Sequence, residues 1–159
     1  MESSLWHTCE EMVLKYWTGA HTKHWLLYHL VFLPKYLKRV LRGKVARRIK
    51  DIIFQACRVN WWWAEEVNIQ PDHLHLLLQI QPSESVADVV NRLKGGTSRA
   101  IRKEFPEIME FLWGDSFWSD GYFAETTGHT SAEVIKRYIQ EQQASMPPDS
   151  QKPRPLGRV

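Results

Sequence analysis

Two histidines one residue apart, His73 and His75, offer the first chemistry in this 159-residue chain. They fall in Asp72-His73-Leu74-His75-Leu76-Leu77-Leu78-Gln79-Ile80, which reads as a β-strand. Successive strand side chains point to opposite faces, so Leu74, Leu76, Leu78 and Ile80 form one apolar face and His73, His75, Leu77 and Gln79 share the other. Side chains two residues apart on a strand lie about 6.5–7 Å apart, within reach of one shared metal ion. Two partly buried histidines bonded to their neighbours would have the same spacing, so the pair alone leaves both readings open. Asp72 is the one carboxylate close by, and alternation sends it to the face away from the histidines.

A second group lies near the other end of the chain. Tyr138 and Gln142 are four residues apart in a stretch of helical period, hence neighbours on one face, with Ile135 and Ile139 on the same stripe. A tyrosine in such a place is either a ring filling a helix–sheet interface or a nucleophile, and the spacing does not choose.

These residues need a scaffold, and the composition supplies one. At 159 residues the chain fits one domain with a core of its own, and 43% hydrophobic residues with eight tryptophans exclude a disordered chain. The two cysteines, Cys9 and Cys57, make no disulfide framework and no zinc-finger spacing, which fits a reducing, cytoplasmic setting. No stretch of 18 apolar residues and no signal-peptide pattern occurs, so no membrane partner is expected. The net charge of +3 is uneven: residues 1–60 carry eleven Lys/Arg against four acids, a balance of +7, and residues 61–159 ten against fourteen, a balance of −4. Lys35, Lys38, Arg39, Arg42, Lys44, Arg47, Arg48 and Lys50 run without an acid among them, as a solvated helix face does and as a phosphate backbone would select.

Leu5, Trp6, Met12, Val13, Tyr16 and Trp17 suggest a short amphipathic helix in an N-terminal extension, residues 1–22. A strand over 24–33 ends at Pro34. A helix follows over 39–60, with Val45, Ile49, Ile52, Ile53 and Ala56 at helical spacing. A strand over 61–69 turns through Gln70-Pro71-Asp72 into the histidine strand as an antiparallel hairpin. Pro82-Ser83 caps a helix burying Val86, Val89, Val90 and Leu93, and Gly95-Gly96 breaks it before helical character resumes over 99–103. The last strand is centred on 121–126, and the Thr130/Glu133 capping box opens a helix through Gln143. The working domain is 23–143, and the proline-rich residues 144–159 read as a flexible tail. The order strand, helix, strand, strand, helix, strand, helix suggests an α+β, ferredoxin-like (RRM-like) sandwich: an antiparallel sheet with helices packed on it.

Several motifs in order extend this pattern. Tyr28-His29-Leu30-Val31-Phe32 with Lys35-Tyr36, Pro71-Asp72-His73-Leu74-His75-Leu76-Leu77, Arg92-Leu93-Lys94-Gly95 with Ser98-Arg99, Leu112-Trp113-Gly114 with Trp118-Ser119 and Gly121-Tyr122-Phe123, and Glu133 to Gln142 resemble the successive motifs of single-strand HUH transposases. These are the one-tyrosine transposases of IS-two-hundred-like insertion sequences. The resemblance covers about residues 24–143. It implies that His73 and His75 are metal ligands, Gln142 the third ligand and Tyr138 the nucleophile, with Mg²⁺ or Mn²⁺ as cofactor. It further implies a homodimer with trans active sites, acting at the nucleoid on single-stranded DNA with hairpins at element ends. The cations in and beside these motifs, Lys35, Arg39, Arg92, Lys94, Arg99 and Lys136, are the expected DNA contacts. A domesticated relative that processes repeated chromosomal hairpins, and a non-catalytic module that binds single strands or hairpins by stacking, are the alternatives.

Overall fold

The computed structural model of the chain describes residues 16–112 and 116–144, and within the last helix the side chains of residues 133–141. The first described residues form a small hairpin, β1 (Trp17–Thr18) paired antiparallel with β2 (Lys23–His24) and closed by Gly19 N–H donating to the Thr22 carbonyl at 2.7 Å. Tyr16 and Trp17 therefore do not continue an amphipathic helix, because the Gly19 turn redirects the chain within two residues. Leu5 to Val13, and the proline-rich residues 145–159, lie outside the described residues.

β3 (Leu27–Phe32) is followed by α1 (Gly43–Asn60), β4 (Trp63–Gln70), β5 (His73–Gln79), α2 (Val86–Glu104), the short α3 (Pro106–Phe111), β6 (Phe123–Thr127) and α4 (His129–Ala144). The four long strands make one antiparallel sheet in the order β4-β5-β3-β6. With two helices crossing between its strands, this is the α+β, ferredoxin-like arrangement the sequence pattern implies. The fold places the last strand, β6, beside the first of the four, and leaves β3 and β5 as the two central strands.

One face of the sheet is the core. Leu30 and Phe32 of β3, Val67 of β4 and Leu74, Leu76 and Leu78 of β5 meet Val45, Ile49, Ile53 and Cys57 of α1 and Val89, Val90, Leu93 and Ile101 of α2. α1 carries these residues at intervals of four and α2 at intervals of three and four, which is why each buries one stripe and leaves its charge outside. The expected break at Gly95-Gly96 does not occur, and α2 runs unbroken for 19 residues. A glycine costs a helix interior about 1 kcal/mol relative to alanine. Here the buried stripe continues on both sides of the pair, through Leu93 before it and Thr97 and Ile101 after it, and packing holds the helix together.

Elsewhere the elements begin or end within a few residues of expectation. Ser85 is the N-cap of α2, its hydroxyl accepting from Asp88 N–H at 3.1 Å, two residues past the expected Pro82-Ser83 cap. Helix α4 starts at His129, one residue before Thr130. It lies on the face of the sheet opposite α1 and α2: Ile135 packs on Leu27 and Leu77, and Ile139 is buried. Among the described residues no helix is long and apolar enough to cross a membrane.

Candidate active site

Strand register decides which side chains share the histidine face. His75 lies opposite Val31 of β3 and Asn68 of β4, and His73 opposite Gln70 of β4. His29 sits opposite Leu77 on β5 and opposite Glu125 on β6. Residues directly opposite in an antiparallel sheet point to the same face, so His73, His75, His29, Glu125, Asn68 and Gln70 all stand on it. His73 and His75 are together as the spacing requires, their ring centroids 4.9 Å apart and nearly perpendicular. The reverse face of β5 is wholly buried core, which fixes the direction in which both histidines point.

Each histidine has one ring nitrogen engaged. His73 Nδ1 is 2.7 Å from Asp72 Oδ1, and His75 Nδ1 is 2.9 Å from His29 Nε2, whose own Nδ1 is 2.9 Å from Glu125 Oε1. Asp72 therefore does not turn away from the histidines. It stands in the turn before β5 begins at His73, where strand alternation does not apply, and its carboxylate accepts the His73 Nδ1–H. In the neutral ring that leaves Nε2 as the nitrogen open to a metal. Burial, with the neighbouring rings of His73 and His29, pushes the His75 pKa down to about 4, so His75 is neutral at physiological pH.

Two imidazoles do not complete a metal site. Among the described residues no group of three His, Cys, Asp or Glu is placed to hold a metal ion, so a third protein donor from these residue types is not at hand. The backbone of Gln142 lies in α4, and its side chain falls outside the described ones. Helix α4 is docked beside the histidines: Asn68, opposite His75, donates its amide N–H to the Ile139 carbonyl at 2.6 Å, and Gln140 donates to Glu66 at 3.0 Å. Tyr138, one residue before Ile139, is 53% exposed while Ile139 is fully buried, so the tyrosine stands at the rim of this helix and not in the packed interface.

The cations expected to meet DNA divide into two groups. Lys94 is turned inward, its ammonium donating to the carbonyls of Ser119, Asp120 and Gly121 at 2.6, 3.3 and 3.1 Å, and burial lowers its pKa. It staples the segment leading into β6 to α2. Arg92 bonds Glu84 and Asn60 and lies over the Trp62 ring. The other four are disposed differently. Arg39 reaches to 3.9 Å from Asp72 beside the His73 end of the sheet, Lys35 lies over the Tyr36 ring, Arg99 is exposed on α2 and Lys136 is half-buried on α4. Glu125, Asn68 and the role of His29 are not legible from spacing, since 46 residues separate His29 from His75 and 96 separate it from Glu125. The one local hint is a histidine alternating with Leu27 and Val31 on an otherwise apolar strand face.

The fold is thus a ferredoxin-like sheet with two histidines on the face where a helix bearing a tyrosine docks. The family described as transposase, IS200 like, matches residues 22–142. The chain belongs to that transposase family. It is 35% identical to the ISDra2 transposase TnpA of Deinococcus radiodurans over 74% of this chain and 84% of that protein. It is 32% identical to the IS200 transposase of Salmonella typhimurium over 77% of this chain and 80% of that one. Among solved structures, the crystal structure of a candidate transposase from Deinococcus radiodurans R1 superimposes with a TM-score of 0.66 at 31% identity, covering 79% of this chain and 96% of the other. A REP-associated tyrosine transposase bound to a REP hairpin shares the fold, with a TM-score of 0.56 at 10% identity over 82% and 73% of the two chains.

Proposed function

We propose that this transposase cleaves and rejoins single-stranded DNA at hairpin-flanked element ends, with Tyr138 as nucleophile and a divalent ion held by His73, His75 and Gln142. The observation that carries the reading is the pair of histidines on the sheet face where α4 docks, with both Nδ1 atoms engaged and Nε2 the remaining ring nitrogen of each. Neutral imidazoles with an amide oxygen suit a partly hydrated Mg²⁺ or Mn²⁺. Such an ion would polarise the scissile phosphodiester and offset the charge that develops on its oxygens.

The chain's own groups do the rest. The Tyr138 oxygen forms a bond to phosphorus as the bond from phosphorus to the 3′-oxygen breaks, and the phenolic proton ends on the released 3′-hydroxyl. The product is a 5′-phosphotyrosine. It conserves the energy of the broken phosphodiester, so a 3′-hydroxyl of another strand regenerates Tyr138 on rejoining and no nucleotide cofactor is consumed. Lys35, Arg39, Arg92, Arg99 and Lys136 are the proposed phosphate contacts, and Lys94, bound to three backbone carbonyls, supports them from within the fold. Residues 23–143 form the proposed working unit.

The proposed assembly is a homodimer with trans sites, in which α4 lies over the partner's histidines. The docking of α4 on its own sheet through Asn68 and Gln140 favours a cis site as the second reading. Single-stranded DNA from the gene's own flanks should give a covalent protein–DNA adduct in Mn²⁺ buffer. Tyr138→Phe should abolish the adduct while hairpin binding stays within about three-fold, because phosphate contacts and not one hydroxyl dominate affinity. An adduct persisting in that variant on Tyr122 or Tyr28 refutes the nucleophile. Mixing Tyr138→Phe with His73→Ala subunits, with exchange confirmed by co-purification of two tags, restores cleavage in a trans dimer and not in a cis one.

A further inference from the structure

We infer that Glu125 and His29 form a positioning relay that holds the proton of His75 on Nδ1 and so keeps its Nε2 available to a metal ion. The inference rests on the proposed metal role of His75.

The two histidines of β5 are served unequally. His73 has a carboxylate of its own, Asp72, at 2.7 Å. His75 bonds no carboxylate directly among the described residues. Its strand neighbours are the buried Leu74 and Leu76, and Asn68 across the ladder on β4 is occupied by the Ile139 carbonyl and by Gln70, which donates to Asn68 Oδ1 at 2.9 Å. The carboxylate on the other side belongs to Glu125 on the edge strand β6, two strands away from β5. Strands lie about 4.8 Å apart, so roughly 10 Å separates the two backbones, too far for Glu125 to touch His75 directly. His29 on the intervening β3 spans the gap with its two ring nitrogens, 2.9 Å to each side. Its ring is nearly coplanar with that of His75, the centroids 5.2 Å apart and the planes 12° apart, as an in-plane N–H···N bond requires, and the residue is only 8% exposed.

The polarity of the chain follows from its end. That end is the Glu125 carboxylate, whose oxygen accepts at 2.9 Å from His29 Nδ1. His29 must then carry its proton on Nδ1 to donate to Glu125. In its neutral form the remaining His29 Nε2 is an acceptor, and the donor that faces it is His75 Nδ1–H. The reverse polarity would require a protonated carboxyl on a half-exposed strand edge. One tautomer of His75 therefore satisfies all three groups, and it is the one with a free Nε2. Carboxylate partners behind metal-bound histidines commonly fix the tautomer and raise ligand basicity. Here the same device acts through an intervening imidazole.

The test uses the full-length, metal-free, ¹⁵N-labelled chain at neutral pH. Long-range ¹H–¹⁵N correlation should show His75 as the Nδ1–H tautomer in the parent. Glu125→Ala, at an exposed edge position that tolerates truncation, should convert His75 to a mixture with the Nε2–H form and weaken Mn²⁺ binding, read from the paramagnetic resonance of free Mn²⁺, by about 10- to 100-fold. Glu125→Gln, whose amide oxygen accepts the same bond, should keep the tautomer and most of the affinity. His29→Phe, matched in size but unable to accept, should behave like Glu125→Ala. An Nε2–H His75 in the parent overturns the relay. So does Mn²⁺ affinity in Glu125→Ala within two-fold of a parent that binds Mn²⁺. A parent that takes up no Mn²⁺ overturns the metal reading instead.

Discussion

Asn68 is the buried residue that, beside the Gln140–Glu66 bond and the packing of Ile135, fastens the tyrosine helix to the histidine sheet, and removing its side chain should loosen the two together. It is fully buried on β4, its amide donating to the Ile139 carbonyl at 2.6 Å and its carbonyl accepting from Gln70 at 2.9 Å. Asn68→Ala removes both bonds at about 1 kcal/mol each, and leaves the buried Gln70 amide unpaired at a further 1–3 kcal/mol, a total of roughly 3–5 kcal/mol. Part of that total is recovered if α4 lifts, because water then reaches Gln70. The loss should therefore be split between global stability and local opening of the helix. Urea unfolding followed by tryptophan fluorescence gives the first, and amide hydrogen exchange across residues 133–141 the second. Asn68→Asp should be worse than alanine, since it sets a carboxylate against the Ile139 carbonyl. A loss under about 0.5 kcal/mol with unchanged exchange in α4 would refute the claim that this side chain anchors the helix.

Two further outcomes test other parts of the structure. The His75 pKa is lowered to about 4 by burial and by the neighbouring rings, so the folded chain binds fewer protons than the unfolded one between that value and the ordinary 6.5. Its contribution is complete above pH 6.5 and is lost as pH falls through 4, at most about 3 kcal/mol. Unfolding in chelator at pH 7 and pH 4.5 should show a smaller acid loss in His75→Gln than in the parent, and equal losses would contradict the shift. Gly96 lies inside α2, exposed, and a methyl group on its Cα would meet nothing within 4 Å, so Gly96→Ala should stabilise the chain by about 0.5–1 kcal/mol in thermal unfolding.

The sequence by itself determined the periodic parts of this protein. The alternation around His73 and His75 decided that both rings share one face and that Leu74, Leu76 and Leu78 form the opposite one, because a strand's side chains alternate whatever surrounds it. The 3.6-residue stripes of α1 and α2 decided which sides of those helices enter the core. The order of elements led to the sheet arrangement for the same reason, since few topologies pair four strands with crossover helices. Where local chemistry competed with packing, the sequence misled: Gly95-Gly96 is a break by propensity, yet a continuous buried stripe carries the helix through it. Asp72 pointed away only for as long as it was counted as part of the strand.

Only the tertiary structure joined His29 and Glu125 to His75, turned Lys94 inward onto three carbonyls and fastened α4 to Asn68. The shortest of these separations along the chain is the 25 residues between Lys94 and Ser119. Each contact exists because strand register and helix docking place two distant backbones a few ångströms apart, and a periodicity read along one segment contains no term for the distance to another.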